Sequence, residues 1–485
     1  MATKSHEQLD IMFFPYMAAG HIIPFTHVAK LFSSRGANST ILTTPLNAPL
    51  CTKSIQRSKC LEFDKKIELI LIKFPYAEVG LPEGCEMADL ITTPEMDGKF
   101  FLATTLLETQ LEQILDEHRP HCLVADAFFP WATDVAAKFG IPRLYFHATG
   151  SFPLCASLSM MIHRPHKKLL SKTESVVLPG LPDEIKMTGD QIADFFKLDD
   201  EAEFTKLCKA GLELEERSYG VIVNSFYELE PDYVDHYRKV YGRKTWHIGP
   251  VSLYNKELED IAESSIAEQH QCLKWLDSKK PNSVVYVCFG SMIKFADCQL
   301  LEIAAGLEAS GQDFIWVVKK EKKDVEEWLP EGFEKRMEGN GLIIRDWAPQ
   351  VLILEHEAIG AFLSHCGWNS ILEAVSAGIP MITWPVSADS FYIEKLVTQI
   401  LRVGVAVGNE KWVSFVDASL KSDARVKRVA IERAVTNIMV GDDAEVMRNR
   451  VKALREMASG AVEQGGSSFS DLTALIEELR TLKNS

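Results

Sequence analysis

The 485-residue sequence lacks several features that mark membrane, secreted and metal-binding proteins. It has no run of 18 apolar residues, so we expect no membrane-spanning helix. The N-terminus has a short apolar run that Pro15 interrupts, which makes a poor signal peptide. No two of the ten cysteines form a Cys-x-x-Cys pair, which favours free thiols over a disulfide framework or a zinc site. We therefore expect a cytoplasmic protein.

Basic residues are outnumbered, with 52 lysines and arginines against 68 acidic residues and a formal net charge of −16. This balance argues against nucleic acid or an anionic membrane as partner, and it fits a highly soluble protein. The sequence also lacks a Gly-x-Gly-x-x-Gly motif, because Gly339-Asn340-Gly341 has no third glycine. A nucleotide-dependent oxidoreductase is therefore disfavoured. The length and the 46% apolar composition predict two or three ordinary globular domains.

Short apolar runs alternate with amphipathic segments in both halves of the chain, which is typical of parallel α/β units. We predict a single helix over 102–118, irregular structure from 151 to 205 and an extended passage out of the first domain at 246–251. The predicted strands of the first half, ending with its final strand, are those at 10–15, 39–43, 68–72, 121–125, 141–146 and 220–224.

A histidine and an aspartate follow two of these strands. His21 lies after the first strand at the start of a helix, and Asp126 ends the strand at 121–125. Because the carboxyl ends of parallel strands share one edge, we expect the two side chains at the rim where such sheets bind ligands. A histidine base needs its second ring nitrogen held by an acceptor, which Asp126 can supply. Taken singly, His21 is by default a capping or packing residue, and Asp126 is equally well explained as a helix cap.

A strand and a helix in the second half predict a phosphate site. The strand at 359–363 leads to His365, and a helix opens at Asn369-Ser370. A helix N-terminus that follows a strand favours anions through its free amides and its dipole. The side chains of His365, Asn369 and Ser370 add donors at the same place.

The stretch from Trp347 to Ser390 resembles the signature box of the plant family of UDP-sugar-dependent small-molecule glycosyltransferases. The resemblance covers all 44 positions, with WAPQ, HCGWNS, Glu373 and a late Trp-Pro followed by Ala-Asp. It extends to the Gly-His-x-x-Pro segment at 20–24. The family has the GT-B fold, so the resemblance implies an α/β chain with two facing Rossmann-like parallel-sheet domains and an interdomain cleft.

The resemblance and the chain pattern together divide the protein into four parts. These are an N-terminal acceptor-binding domain (1–245), a linker (246–271), a C-terminal UDP-sugar-binding domain (272–467) and a C-terminal helix (468–485) that packs back on the N-terminal domain.

The resemblance also implies a role for each matching residue. His21 and Asp126 would form the catalytic pair. Uracil and ribose would contact Trp347, Ala348, Gln350 and Glu373; the diphosphate would contact Ser291, His365, Asn369 and Ser370; the sugar would contact Trp368, Asp389 and Ser390, with Thr149 as a further sugar contact or a simple turn residue.

The final position of the box departs from the family pattern. It is usually glutamine in glucose users and sometimes histidine in galactose users, whereas this sequence has Ser390. A serine reaches less far and offers one hydroxyl in place of the paired donor and acceptor of an amide. The resemblance still favours UDP-glucose as the donor, with UDP-galactose and UDP-glucuronate as alternatives.

The activity implied is an inverting transfer in which His21 takes the proton of an acceptor hydroxyl and UDP leaves. The acceptor would be a small lipophilic plant metabolite such as a triterpenoid, steroid, flavonoid or phenolic. Metal-dependent sugar transferases often carry Asp-x-Asp, which this sequence lacks, so we expect neither a metal nor another cofactor. The rival interpretation is a non-catalytic UDP-sugar-binding protein, which would not need the His21–Asp126 pair.

Overall fold

The structure, a computed structural model, describes residues 8–57, 67–197, 203–255, 271–320, 328–345, 347–416 and 424–483. Within these ranges the first half of the chain forms a seven-stranded sheet and the second half a six-stranded sheet. Helices cover both sheets, as parallel strands require. The expectation of two parallel-sheet α/β domains is confirmed.

Strands of the first half are short, and those in the middle of the sheet are buried. They are β1 (Asp10–Phe14), β2 (Asn38–Thr43), β3 (Ile67–Leu71), β4 (Cys122–Asp126), β5 (Arg143–His147), β6 (Ser175–Val177), β7 (Lys186–Thr188), β8 (Gly220–Val223) and β9 (Thr245–His247). The sheet order is β3-β2-β1-β4-β5-β8-β9, with every pair parallel, and β6 and β7 form a separate antiparallel hairpin. β1 and β5 both flank β4, so residues at the ends of these three strands are neighbours.

Helices of the first half lie on both faces of this sheet. They are α1 (Ala19–Ser34), α2 (Ala48–Arg57), α3 (Pro94–Thr105), α4 (Glu108–His118), α5 (Ala132–Lys138), α6 (Ser151–His163), α7 (Asp194–Lys197), α8 (Glu203–Glu216) and α9 (Pro231–Lys239). Short 3-10 turns occupy Ala88–Leu90, Pro165–Lys168, Tyr227–Leu229 and Leu253–Asn255.

The prediction of one helix over 102–118 is wrong, because the helix is interrupted at residues 106–107, between α3 and α4. The hydroxyls of Thr104 and Thr105 donate to the carbonyls of Phe101 and Leu102 in the preceding turn. Such side-chain bonds compete with the backbone bonds that would carry the helix onward. The amphipathic pattern continues through the break, which is why periodicity alone missed it.

Two other predictions about the first half are also wrong. The segment 151–205 is not irregular throughout, because it begins with α6, in which residues 151–156 are all buried. A helix that is buried on every side shows no apolar stripe to detect. The strand at 220–224 is not the final one, since β9 pairs with β8 inside the segment predicted as an extended passage.

Strands of the second half are β10 (Val284–Cys288), β11 (Asp313–Val317), β12 (Gly341–Ile344), β13 (Ile359–Ser364), β14 (Met381–Thr383) and β15 (Gly404–Ala406). Their order is β12-β11-β10-β13-β14-β15, and all pairs are parallel. The helices are α10 (Gln271–Leu276), α11 (Asp297–Ser310), α12 (Phe333–Arg336), α13 (Gln350–Glu355), α14 (Trp368–Ala377), α15 (Ser390–Lys395) with a π turn at Leu396–Ile400, α16 (Arg428–Val440), α17 (Ala444–Val462) and α18 (Ser467–Lys483).

The last helix, α18, packs against the first domain. Its apolar side chains Leu472, Leu475, Ile476 and Leu479 are buried in the core that covers one face of the first sheet. Asp471 on the same helix accepts 2.8 Å hydrogen bonds from the guanidinium of Arg238 and from the backbone amide of His247. The predicted linker at 246–271 lies mostly outside the described residues, and the predicted domain limits stay predictions.

Candidate active site

The carboxyl end of the first sheet brings His21 and Asp126 together. His21 is in the first turn of α1 and Asp126 ends β4, and His21 Nδ1 lies 2.8 Å from Asp126 Oδ2. The backbone amides of Tyr16 and Phe128 donate to the two oxygens of the Asp126 carboxylate, which is 1% exposed. A carboxylate accepts but does not donate, so Nδ1 carries the hydrogen and Nε2 of the neutral imidazole is a free base.

Burial and charge act in opposite directions on His21. Burial lowers the pKa of its imidazole, but the charge of Asp126 and the hydrogen bond to it outweigh burial, and Asp89 and Asp389 add to the effect. The net result is a raised pKa. The imidazole can therefore hold a proton that it takes from an alcohol, and the ion pair with Asp126 stabilises that state.

Aromatic rings surround this pair on the side of the cleft. The rings of Tyr16 and Phe128 each lie 5.5 Å from the His21 ring, and 4.7 Å from each other. Phe101 lies 6.2 Å from both of them, and Phe101 and Phe128 are half-buried. The base therefore lies beside an apolar aromatic wall.

In the second domain, His365 lies between two glycines at the ends of β10 and β13. A Cβ atom would come within 2.7 Å of the imidazole at Gly290, which has a φ of +72°, and within 2.5 Å at Gly367. Only glycine allows this close approach. Burial lowers the pKa of His365 to about 4, so the ring is neutral at pH 7. Its Nδ1 atom is buried and has no hydrogen-bond partner among the described residues, which is unusual and makes it available to bond a ligand.

The helix N-terminus beside His365 differs in detail from the prediction. Gly367, and not Asn369, occupies the cap position of α14, and no side chain caps it. The Asn369 side chain donates across the cleft to the carbonyl of Gly20 at 2.7 Å, and its Oδ1 accepts from Asn224 at 3.5 Å. The expectation that Asn369 caps the helix is thus wrong. The first backbone amides of α14 have no acceptor within the helix, so they remain available to an anion.

A polar network occupies the outer part of the same helix. Gln350 Nε2 donates to Glu373 Oε2 at 2.6 Å and to the hydroxyl of Ser370 at 3.2 Å, while Gln350 Oε1 accepts from Tyr286 at 3.3 Å. These bonds fix the Gln350 amide and hold the half-buried Glu373 carboxylate beside it. The structure thus places together three residues that the resemblance assigns to the nucleotide.

Trp347 lies at the mouth of the cleft, with 56% of its surface exposed, and Ala348 beside it is buried. A large exposed indole is a stacking surface for a flat ring. Lys53 of α2 reaches over it from the first domain, with its Nζ atom 5.1 Å from the ring centroid. Sequence reasoning did not find Lys53, because no local pattern links it to a residue of the other domain.

Asp389 and Ser390 follow β14 on the cleft side of the second domain. The hydroxyl of Thr149, at the end of β5, donates to Asp389 Oδ2, so these two residues bridge the domains. Burial raises the pKa of the Asp389 carboxyl, against the opposing effects of Thr149, His21 and His147. Ser390 is 4% exposed, and its hydroxyl accepts a 3.0 Å bond from the backbone amide of Val386.

Trp368 is a structural contact between the domains. Its indole N–H donates to the carbonyl of Asn224 at 2.7 Å, and its ring packs directly on Gly150. The side chain is 3% exposed, so it has no free polar atom for a sugar. Its backbone amide, in the first turn of α14, is the group that it can offer instead.

Ser291 follows β10 and is half-buried beside His365 and Gly290. Its carbonyl accepts a 3.1 Å bond from the Nζ atom of Lys319, two residues beyond β11. Lys319 was not predicted from the sequence. A lysine just after the strand that follows the Gly290-Ser291 turn was a usable signal, because consecutive parallel strands end at the same edge of the sheet. This ammonium adds a positive charge to the turn.

Within the described ranges, no three histidine, cysteine or carboxylate side chains are grouped so that they could hold a metal ion. No helix of the described chain is long and apolar enough to cross a bilayer.

Comparison with known proteins identifies the family of this chain. Residues 99–409 match the model of the family described as UDP-glucoronosyl and UDP-glucosyl transferase. The sequence is 70% identical to the UDP-glucose flavonoid 3-O-glucosyltransferase 7 of Fragaria ananassa over 99% of this chain and 98% of that protein. It is 52% identical to the scopoletin glucosyltransferase of Nicotiana tabacum over 98% of each chain.

Solved structures give the same result for the fold. A crystal structure of UGT73P12 from Glycyrrhiza uralensis, complexed with glycyrrhetinic acid 3-O-monoglucuronide, matches with a TM-score of 0.90 and 40% identity over 98% of this chain and 96% of that one. UGT71G1 of Medicago truncatula, complexed with UDP-glucose, shares the fold with a TM-score of 0.77 at 24% identity over 99% and 100%. The GT-B fold is therefore confirmed. With two domains, a cleft and these relatives, the chain belongs to the plant UDP-glycosyltransferases, enzymes of the UDP-glucoronosyl and UDP-glucosyl transferase family.

Proposed function

We propose that this glycosyltransferase moves glucose from UDP-glucose to a phenolic hydroxyl of a small lipophilic plant metabolite, with inversion at the anomeric carbon. One observation supports the proposal above all: the His21–Asp126 pair faces the helix N-terminus of α14, and Asn369 joins the two at 2.7 Å through the carbonyl of Gly20. A base and an anion site thus lie on opposite walls of one cleft.

The second domain binds the nucleotide in this proposal. Uracil stacks on Trp347, and Glu373 with Gln350 binds the ribose hydroxyls. The diphosphate receives hydrogen bonds from the first amides of α14 and from His365, whose buried Nδ1 atom lacks a partner. Anionic oxygens beside the neutral imidazole favour its protonation, so binding of the diphosphate raises the affinity of His365 for a proton.

The first domain supplies the chemistry. The acceptor O–H lies against Nε2 of His21, which takes the proton as the oxygen attacks the anomeric carbon of the sugar. The bond between that carbon and the β-phosphate oxygen breaks, and UDP leaves with the electron pair. Asp126 stabilises the imidazolium that forms, and the helix N-terminus stabilises the charge on the leaving diphosphate. A single displacement inverts the configuration.

We propose that this transfer uses no metal or other cofactor. In many phosphate sites a divalent cation neutralises the leaving group, and here the α14 dipole, the ammonium of Lys319 and His365 would do so. Activity in EDTA equal to that in magnesium supports the proposal, and a requirement for a divalent cation contradicts it.

An aromatic acceptor fits the wall beside His21. The half-buried rings of Phe101 and Phe128, with Tyr16, offer flat faces for stacking on a phenolic ring system. Two relatives are named as glucosyltransferases of a flavonoid and of scopoletin, which favours the same acceptor class. A terpenoid or steroid is the alternative, since the solved relative at 40% identity holds a glycyrrhetinic acid glucuronide.

The donor sugar has a second candidate. Ser390 replaces the glutamine usual in glucose users, and its hydroxyl already accepts a bond from Val386. At this position UDP-glucuronate and UDP-galactose would therefore lose less binding free energy, relative to UDP-glucose, than the family pattern suggests. The test is mass spectrometry after incubation with each UDP-sugar and a panel of flavonoids, coumarins and triterpenoids, with NMR of the product anomer. A β-glucoside of a phenolic is expected; no transfer to any acceptor would refute the proposal.

We also propose that the enzyme works in a reducing compartment such as the cytoplasm. Eight of the cysteines are free thiols in the structure, and most of these are buried in the core. A fluorescent fusion that enters the secretory pathway would contradict this.

A further inference from the structure

A second imidazole lies at the rim that carries Asp126. His147 is the last residue of β5, and β5 pairs with β4 so that Phe146 stands opposite Asp126. The side chain of His147 is 12% exposed, and its ring stacks on that of Tyr145. Neither the sequence pattern nor the mechanism above gives it a role.

A buried carboxylate holds this imidazole in one orientation. Nε2 of His147 lies 2.5 Å from Glu215 Oε2, and Glu215 Oε1 accepts from the hydroxyl of Tyr237 at 2.6 Å and from Nε of Arg243 at 3.0 Å. Burial alone would raise the pKa of the Glu215 carboxyl, but these partners lower it, so it is a carboxylate. Because a carboxylate only accepts, Nε2 of His147 carries a hydrogen, and the neutral tautomer that this bond selects has Nδ1 as its acceptor.

The second ring nitrogen of His147, Nδ1, is not bonded to Glu215. In the described chain, Nδ1 of His147 has no hydrogen-bond partner, and it is not sealed from solvent. Thr149, two residues further on, bonds to Asp389 of the other domain. β4 and β5 are neighbours in the sheet, so the imidazole that Asp126 holds and the imidazole of His147 lie at the same edge of the first domain. Each is oriented by its own carboxylate, through opposite ring nitrogens.

We propose that Nδ1 of His147 accepts a hydrogen bond from a second hydroxyl of the acceptor, one that is not glycosylated. The inference rests on the proposed function, in which His21 activates the transferred hydroxyl. It makes His147 a specificity residue, and it names polyhydroxylated phenolics as the preferred acceptors. An imidazole that a carboxylate holds in place, at the edge of the sheet beside the base and two residues before the Thr149–Asp389 bond, is suited to accept a hydrogen bond from a hydroxyl.

The test compares acceptors that differ in their hydroxyl groups. The flavonols 3-hydroxyflavone, galangin, kaempferol and quercetin add hydroxyls to one ring system, and kcat/KM is measured for each with saturating UDP-glucose. We expect one step of this series to raise kcat/KM by about five- to tenfold in the wild type. His147→Ala should abolish that gain and leave the simplest accepted flavonol within about twofold.

Two further variants separate binding from structure. His147→Asn places an acceptor oxygen near the position of Nδ1, so it should restore part of the gain. Glu215→Gln keeps the side-chain size, and its amide must point its NH₂ group at His147, because Tyr237 and Arg243 donate to the other atom. That change moves the ring hydrogen to Nδ1, to which a hydroxyl and a methoxy oxygen can both be acceptors, so the preference for a hydroxyl over a methoxy group at the same position, as in quercetin against isorhamnetin, should be lost.

His163→Ala is the matched control, since this exposed histidine at the end of α6 lies outside the network. Equal loss on every flavonol in His147→Ala, or a raised KM for UDP-glucose alone, would overturn the inference in favour of a structural or sugar-binding role. An unchanged series would also overturn it. A wild-type enzyme that glycosylates no flavonol or other phenolic would refute the proposed function itself, which is a separate outcome.

Discussion

A single methyl group at Gly150 should disrupt the contact between the domains. Gly150 precedes α6, and its φ of −95° and ψ of 176° suit alanine as well as glycine, so the effect of Gly150→Ala is purely steric. The added Cβ would lie 2.7 Å from Glu230 Oε1. It would also lie closer than 3.0 Å to two ring carbons of Trp368, which is shorter than real Cβ contacts allow. The indole would have to retreat by roughly 1 Å to restore ordinary contact.

That retreat is opposed by the bond from the Trp368 indole to the carbonyl of Asn224 at 2.7 Å. Overpacking costs about 1–3 kcal/mol, and straining this bond adds about 1 kcal/mol. We expect a lower urea midpoint in tryptophan fluorescence, and a loss of roughly tenfold in kcat, because displaced domains misplace the base by about 1 Å.

The matched control is Gly460→Ala in α17, where a Cβ meets nothing within 4 Å. It should leave activity unchanged and stabilise the helix by about 0.4–1 kcal/mol. If Gly150→Ala behaves like Gly460→Ala in both assays, the account of the cleft as a packed contact through Trp368 is wrong.

Three further predictions concern the donor, the last helix and the base. Ser390→Gln should raise the preference for UDP-glucose over UDP-galactose by about fivefold in competition assays, because the amide offers a donor and an acceptor to two hydroxyls of the sugar. An unaltered preference would contradict this. Asp471→Ala should remove the ion-pair partner of Arg238, which keeps its bonds to Thr245, and the acceptor of the His247 amide. It should destabilise α18 by about 1–3 kcal/mol and speed its proteolysis, whereas an unchanged cleavage rate would show that apolar packing alone holds the helix. Asp126 raises the pKa of His21, so kcat/KM should fall as the pH drops through that pKa and the base becomes protonated. Asp126→Asn should move this fall in kcat/KM to lower pH and also reduce the maximal kcat/KM. A fall that stays at the same pH would assign it to another titrating group.

The sequence predicted the strands better than the connections, for a physical reason. Buried strands of parallel sheets are short, continuous apolar runs, such as those that became β1 and β10, and these are visible without neighbours. α6 was missed because burial of nearly all its residues removes its periodicity, and the break between α3 and α4 was missed because the amphipathic pattern continues through the point where two threonine hydroxyls compete for backbone carbonyls. These features depend on local bonds and packing that a pattern does not show.

Part of the candidate site could also be predicted from the sequence, and part of it could not. Strand ends predicted that His21 and Asp126 would share a rim, and the structure places them 2.8 Å apart, while their catalytic role stays a prediction. The bond from Asn369 to Gly20 joins residues 349 positions apart, and no spacing rule reaches that far. The bond from the Trp368 indole to Asn224 of the other domain could not be predicted for the same reason, and the sugar contact of Trp368 stays a prediction.

The most direct test of the central claim is a comparison of His21→Ala with the wild type in EDTA, in which UDP affinity is measured by calorimetry and turnover by product mass on the same samples. The account predicts a loss of about 10²–10⁴-fold or more in turnover with a Kd for UDP that is unchanged within twofold. Turnover that survives the substitution, or UDP binding that needs magnesium, would contradict a base in one domain facing a metal-free nucleotide site in the other.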